Sequence, residues 1–157
     1  CEMTFDSDLF DRVIMQSVVC FNDKLPLLEE AVRVLRPGGR IGLNEVTWMR
    51  PPTEKVAKVT RATVCETFRG ALLRDEWVEL LRRAGCDQVH DQSFGFEPVA
   101  AYQLLREEGL LNTARTFSRV LTNPDNLMRL SAVSDYFRRF PGYFGYGIYT
   151  GCKPEKD

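Results

Sequence analysis

One stretch limits the fold more than any other: Arg33 to Val46, which reads RVLRPGGRIGLNEV. Before it, Leu25, Leu28, Val32 and Leu35 recur at helical spacing, which predicts an amphipathic helix over 25–36. Pro37 disfavours the helical conformation at Arg36 and ends that helix. Gly38 or Gly39 then supplies the positive backbone angle of a helix C-cap, and residues 40–47 read as a strand. Two adjacent glycines invite a phosphate-loop reading. A phosphate loop needs the opposite order, with a strand first and then amides at a helix N-terminus facing the anion. The glycines here are a helix-to-strand turn.

The flanking chain extends this unit into an α/β pattern. Asp11 to Met15 is a short apolar run that reads as a buried strand. Asn22 and Asp23 offer caps for the following helix, and Pro26 suits its first turn. Thr53 to about Phe68 predicts a second helix, with Val56, Val59, Thr63 and Thr67 along one side. Asp75 caps a third, whose stripe is Trp77, Leu80, Leu81 and Ala84 and whose end is Gly85. Cys86 to Phe96 reads as a strand, with His90, the only histidine, at its surface. Helical patterns then fill 98–107 and the region of Ala114 to Leu121. A longer helix opens at Asn123-Pro124, with Leu130, Val133, Phe137 and Phe140 as its buried face. Residues 143–152 alternate with period two. Phe144, Tyr146, Ile148, Thr150 and Cys152 share one face, and Gly145, Gly147, Tyr149 and Gly151 share the other. The glycine face suggests close helix packing. The first two strands, joined through a helix, should be parallel with a right-handed crossover.

Composition removes several function classes. The 157 residues carry 21 Lys+Arg against 22 Asp+Glu, a net charge of -1, which points away from nucleic acid and anionic membrane surfaces. No apolar run approaches the roughly 18–20 residues of a bilayer span. The five cysteines, Cys1, Cys20, Cys65, Cys86 and Cys152, are odd in number and widely spaced, and no metal-ligand spacing occurs. They read as buried thiols in a reducing, cytoplasmic setting, with Cys20 the candidate for reactivity. The chain opens on Cys1, which suggests a start within a longer protein.

Several of these segments, in this order, resemble class I S-adenosylmethionine-dependent methyltransferases, in particular the type 11, quinone-biosynthesis-like group. Glu30, Arg33 to Leu35, Arg36 and Pro37 to Gly39 match the family's helix–strand turn, and Met3 to Asp11 resembles the approach to its fourth strand. LLRRAGC, Leu80 to Cys86, matches a later helix-to-strand junction, with Cys86 where an aromatic is usual. YGIYTGCKP resembles the last strand. The resemblance implies a partial Rossmann-like sheet, strands 4-5-7-6 of the family order 3-2-1-4-5-7-6, with flanking helices. It implies one truncated domain over 1–157, with a helical insertion over 98–140. The family's first three strands, with the glycine-rich cofactor loop and the ribose-holding acid, lie outside the match.

Carried over by position, Met15, Gln16 and Ser17 would face the methionine part of S-adenosylmethionine, and Val18, Cys20 and Phe21 would border the substrate. Packing of the strand end is the alternative for all six. Glu45 sits at the ligand edge, where a carboxylate orients a substrate or takes a proton; the alternative is a capping acid. Trp48 is either a stacking surface or a hydrophobic plug. No catalytic group is assigned, because methyl transfer rests on in-line positioning and the cofactor carries the chemistry.

The resemblance implies the C-terminal part of a methyltransferase acting on a small molecule, with cofactor binding by this chain alone not expected. In the intact sheet the strand over 12–16 pairs on both sides. Here one edge would stay unpaired and would recruit the enzyme's own N-terminal half or a second copy of the chain. Two other readings stay open: a non-enzymatic α/β module that folds by dimerising through that edge, and a binding module built on the helical insertion.

Overall fold

The computed structural model describes residues 3–64, 67–95, 106, 109, 111–115, 118 and 122–155. Its elements are β1 (Phe10–Gln16), a 3-10 turn (Val19–Phe21), α1 (Lys24–Val34), β2 (Leu35–Trp48), α2 (Glu54–Val64), β3 (Leu72–Leu73), α3 (Arg74–Arg83), β4 (Asp87–Gly95), α4 (Pro124–Arg139) and β5 (Phe144–Cys152). The sheet runs β1-β2-β5-β4. β1 and β2 are parallel, while β5 is antiparallel to both β2 and β4. That is the expected 4-5-7-6 order with its parallel first pair. β3 lies parallel to the last residues of β2, Leu72 beside Thr47 and Leu73 beside Trp48. It occupies the β1 side of β2 beyond the point where β1 has ended.

The junction after α1 differs from the expected one. The helix ends at Val34 and Leu35 is already extended (φ -71, ψ 140). Arg36, preceding Pro37, is held in the strand-like region that a following proline favours. Proline-glycine-glycine is therefore carried inside β2 as a bulge. Phe10 pairs with Leu35 and Arg12 with Arg40, so β2 spends more residues than β1 over the same length. Gly38 takes the positive angle (φ 71), as a bulge residue and not as a cap. A Cβ on Gly39 would lie 2.7 Å from the Arg36 carbonyl oxygen and 3.2 Å from that of Asp11. Gly38 N–H donates to the Lys153 carbonyl (3.0 Å) and Lys153 N–H donates to that of Gly39 (2.9 Å). The Lys153 ammonium adds bonds to Asp8 (2.8 Å) and to the carbonyls of Arg33 and Leu35.

One sheet face is covered by α1 and α3. Met15, Leu27, Leu28, Ala31, Leu35, Ile41, Leu43, Trp77, Leu81 and Tyr149 form its core. Trp77 donates from Nε1 to the Val46 carbonyl (3.2 Å), and its ring lies 5.8 Å from that of Tyr149. The glycines of β5 do lie on the buried face, as the alternation predicts. What they accommodate is different at Gly147: the Tyr149 ring runs back across it, and Tyr149 Oη meets Thr47 Oγ1 at 2.9 Å. Among the described residues the opposite face is open. Ile14 is 81% exposed and Ile148 43%, Tyr146, Thr150, His90 and Gln92 are exposed, and no atom lies within 4 Å of a Cβ placed on Gly42.

Other expectations need correction at single residues. Leu73 occupies the N-cap of α3, and Asp75 sits in the first turn; the Glu76 carboxylate accepts from Leu73 N–H (2.7 Å). On α2 the expected face does turn inward, with Val56 buried and Val59 and Thr63 half-buried, and Thr60 joins it as a second fully buried residue. On α4 it is Tyr136 that is buried, while Val133 is exposed and Phe137 and Phe140 are half-buried. Tyr136 Oη and Thr60 Oγ1 meet at 2.8 Å, so a polar pair ties α4 to α2. The Asn123 cap holds as read, its side chain accepting from Asp125 N–H. All but Arg106 of the helix expected over 98–107, most of that near Ala114 to Leu121, and the side chain of Leu130 lie outside the described residues.

Gly147→Ala sets a methyl group against the Tyr149 ring and breaks its contact with Thr47. The variant is expected to lose roughly 1–3 kcal/mol of stability in urea unfolding. Gly42→Ala, on the open face, is expected to stay within about 0.5 kcal/mol of the parent.

Candidate functional site

β1 and β2 are parallel, so their carboxyl ends meet at one edge of the sheet. Three connections leave that edge: 17–23 after β1, the α2-containing segment after β2, and the α4-containing segment before β5. Open α/β sheets bind ligands outside the carboxyl ends of their strands. The candidate site is this edge.

A single carboxylate organises it. Glu45, fully buried, accepts from the backbone N–H groups of Val18 (2.8 Å), Val19 (2.8 Å) and Cys20 (3.2 Å). These amides open the 3-10 turn, and they would be buried donors without partners if Glu45 were absent. A buried carboxylate is itself costly unless hydrogen-bonded, and the three amides meet that need. Of the two sequence readings of Glu45, the geometry is that of the capping acid. Its side chain is closed off from solvent.

The predicted residues divide by burial. Gln16, Ser17 and Val18 are exposed at the end of β1. Ser17 has a positive φ of 51°, and its N–H still donates to the Asn44 carbonyl (2.8 Å), so the chain peels from the sheet one residue after Gln16. Met15 turns its side chain into the α1/α3 core, which leaves only its backbone at the edge. Cys20 is fully buried; burial first, then the Glu45 carboxylate, pushes its thiol up to about 12. The reactive-thiol expectation for Cys20 is thereby overturned: a protonated, enclosed thiol is a poor nucleophile. Cys86 behaves alike, pushed up to about 11 chiefly by burial. Cys1 and Cys65 lie outside the described residues. Phe21 is half-buried and packs edge-on against Phe68, with ring centres 5.9 Å apart. Trp48 is 6% exposed and belongs to a second core with Cys20, Val56, Phe68 and Ala71.

Sequence reading missed a cationic cleft beside this loop. Asn22, Asp23, Lys24, Lys58, Arg61, Ala62, Phe68 and Arg69 line an open cleft of about 870 Å³. Arg69 N–H donates to the Cys20 carbonyl (2.9 Å) and its guanidinium reaches Asp23 (2.5 Å), which docks the segment after α2 onto the loop after β1. Burial pushes the Lys24 ammonium down, against the pull of nearby Cys20 and Glu45. The spacing of Lys58 and Arg61 on α2 was the available signal, but nothing local says what that face meets. His90 is exposed, and no group of metal-ligating side chains occurs among the described residues.

Comparison with known proteins bears on this geometry. The methyltransferase domain family model matches residues 1–43, which span β1, α1 and most of β2. The phosphoethanolamine N-methyltransferase 2 of Haemonchus contortus is similar over 96% of this chain and 35% of its own, at 15% identity and a TM-score of 0.68. An arsenic(III) S-adenosylmethionine methyltransferase from Chlamydomonas reinhardtii is similar over 97% and 40%, at 20% identity and a TM-score of 0.57. The chain has a methyltransferase fold. A cyclase, SpnF, is similar to it over 99% of this chain and 53% of its own, at 21% identity and a TM-score of 0.64, so this methyltransferase fold does not by itself name a reaction. The chain spans 35% to 53% of the length of these three structures. Comparison with curated protein sequences finds no match. No helix among the described residues is long and apolar enough to cross a membrane.

Two outcomes check the loop. Glu45→Ala leaves three amides unpaired, two of them buried, and a void, so a loss of about 3 kcal/mol or more is expected, with fast hydrogen exchange at Val18 to Cys20. Iodoacetamide at pH 8 is expected to modify the half-exposed Cys152 and to spare native Cys20 and Cys86; prompt labelling of Cys20 would contradict the burial described above.

Proposed function

We propose that this chain forms the acceptor-side part of an S-adenosylmethionine-dependent methyltransferase acting on a small molecule, and that it holds the cofactor only together with further polypeptide docked on β1. The carrying observation is β1 itself. Its outer edge has no partner strand among the described residues, and Ile14 beside it is 81% exposed at the strand whose carboxyl end carries Gln16 and Ser17. An unpaired parallel strand with an exposed isoleucine is half of an interface. The methyltransferase-domain match over residues 1–43 and the shared fold support the reaction class.

In this reading the backbone at Met15, with Gln16 and Ser17, borders the methionine part of the cofactor. Bound there, the cofactor supplies a methyl group on a sulfonium centre. Val18 and Phe21 border the acceptor, and Glu45 holds the loop that carries them. Cys20 and Trp48 act from behind, filling the space under the loop and keeping water from it. The chain's task is orientation, since alignment of nucleophile and methyl carbon supplies most of what such a transfer needs. A base is required only for an acceptor that must lose a proton.

The open edge also favours a second reading, in which two copies pair their β1 strands antiparallel and the module has no catalytic role. Calorimetric titration separates the two. The chain alone is expected to show no saturable S-adenosylhomocysteine binding, and binding is expected once a segment carrying the first three strands of the fold is supplied. Saturable binding by the chain alone would overturn the shared-site proposal. Light scattering addresses the second reading: a dimer that Ile14→Lys converts to monomer supports it, and a parent that is monomeric at all concentrations rejects it.

A further inference from the structure

We infer that the cleft between the loop after β1 and α2 is a subsite for an anionic group on an otherwise apolar small molecule, a phosphate or carboxylate with an aromatic or aliphatic body. The inference deepens the acceptor-side reading above and rests on it only for the word acceptor.

Three features carry the anionic part. Lys24, Lys58, Arg61 and Arg69 converge on one cleft with Asp23 as its one acidic lining residue among the described residues. Asp23 is already engaged by Arg69 (2.5 Å), and no ion pair involves Lys24, Lys58 or Arg61 among the described residues. The cations come from three separate elements, the start of α1, the middle of α2 and the segment before β3, so helix periodicity alone does not explain their meeting. Mutual repulsion among four such groups is relieved by an anion, which would also lie near the positive N-terminal end of the 11-residue α1. The chain as a whole is at -1, so the concentration of positive charge is local.

The apolar part follows from what adjoins. A second cavity of about 350 Å³ shares Arg61, Phe68 and Arg69 with the cleft. Its other walls include Trp48, Pro52, Ala57, Ala71, Leu72 and the Glu76 carboxylate, which is already held by Leu73 N–H (2.7 Å). Its walls are therefore mostly apolar, and the two cations it shares stand at the junction. A molecule with a charged head in the cleft would lay its body against Trp48 and Phe68, which gives Trp48 the stacking role alongside its packing role. Arg69 also bonds the Cys20 carbonyl, so an occupied cleft would stiffen the loop that carries Val18 and Phe21.

The test is calorimetric titration of the 157-residue chain with inorganic phosphate, phenyl phosphate and benzoate at low ionic strength. Saturable binding is expected, with phenyl phosphate tighter than inorganic phosphate by about tenfold from burial of the ring. Comparison of phenyl phosphate with benzoate distinguishes a phosphate from a carboxylate site. Lys58 and Arg61 are exposed, so the Lys58→Ala/Arg61→Ala variant should fold normally. It is expected to lose at least about tenfold in affinity for both phosphates. Arg82→Ala, on α3, is expected to lose nothing. Absence of saturable binding, equal affinity for phenyl and inorganic phosphate, or an unchanged double variant would each overturn the inference. S-adenosylhomocysteine binding, measured as described for the assembled protein, is expected to be unaffected by the double variant. The subsite can therefore fail while the methyltransferase reading stands, or the reverse.

Discussion

The Glu45 carboxylate is the interaction on which the rest of the site depends. β2 delivers it, one residue beyond the last β1 pairing at Asn44, to the point where β1 has left the sheet. There the chain turns sharply and exposes three amides that no strand can accept. By taking all three, Glu45 makes a reproducible shape from a segment with little secondary structure of its own. The turn then buries Cys20, presents Gln16 to Val18 outward and starts α1 in the right direction to cover the sheet. A carboxylate in this position is expensive unless every donor is aimed at it, so the loop and the acid stabilise each other.

The second constraint is asymmetry between the sheet's faces. One face is closed by α1 and α3 around Trp77 and Tyr149; the other leaves Ile14 and Ile148 in solvent. The segments leaving the carboxyl edge compensate at one end only, where α2, α4 and the Trp48 cluster pack together. A chain built this way has a complete core on one side and exposed apolar side chains on the other. Its cationic cleft belongs to the complete end, since its walls are held by Arg69, Asp23 and the Phe21–Phe68 contact.

Much of the fold was legible in the residues because its signals are local. Helical spacing in Leu25 to Leu35, period-two alternation in Phe144 to Cys152 and the proline-glycine-glycine break each act within a few residues. Where local rules competed, reading failed by a residue or two. Pro37 and Gly38 signal a stop, but whether the stop is a cap or a bulge depends on Lys153 and Asp11, far away in sequence. The α4 face was misjudged for a similar reason: Tyr136 carries a hydroxyl that looks like a surface feature until Thr60 is there to meet it.

The residues by themselves determined the main helices and strands and the parallel first pair, which follow from periodicity and from the chirality of strand–helix–strand units. The open β1 edge and the place of Glu45 at the carboxyl end of its strand followed from the resemblance to the methyltransferase pattern, and the short β3 carried no signal of its own. Only the tertiary structure decided what Glu45 does, that Cys20 is enclosed, and that Lys24, Lys58, Arg61 and Arg69 share one cleft. Those outcomes depend on side chains far apart in sequence meeting in space. Burial and charge are properties of that meeting, and no single segment carries them.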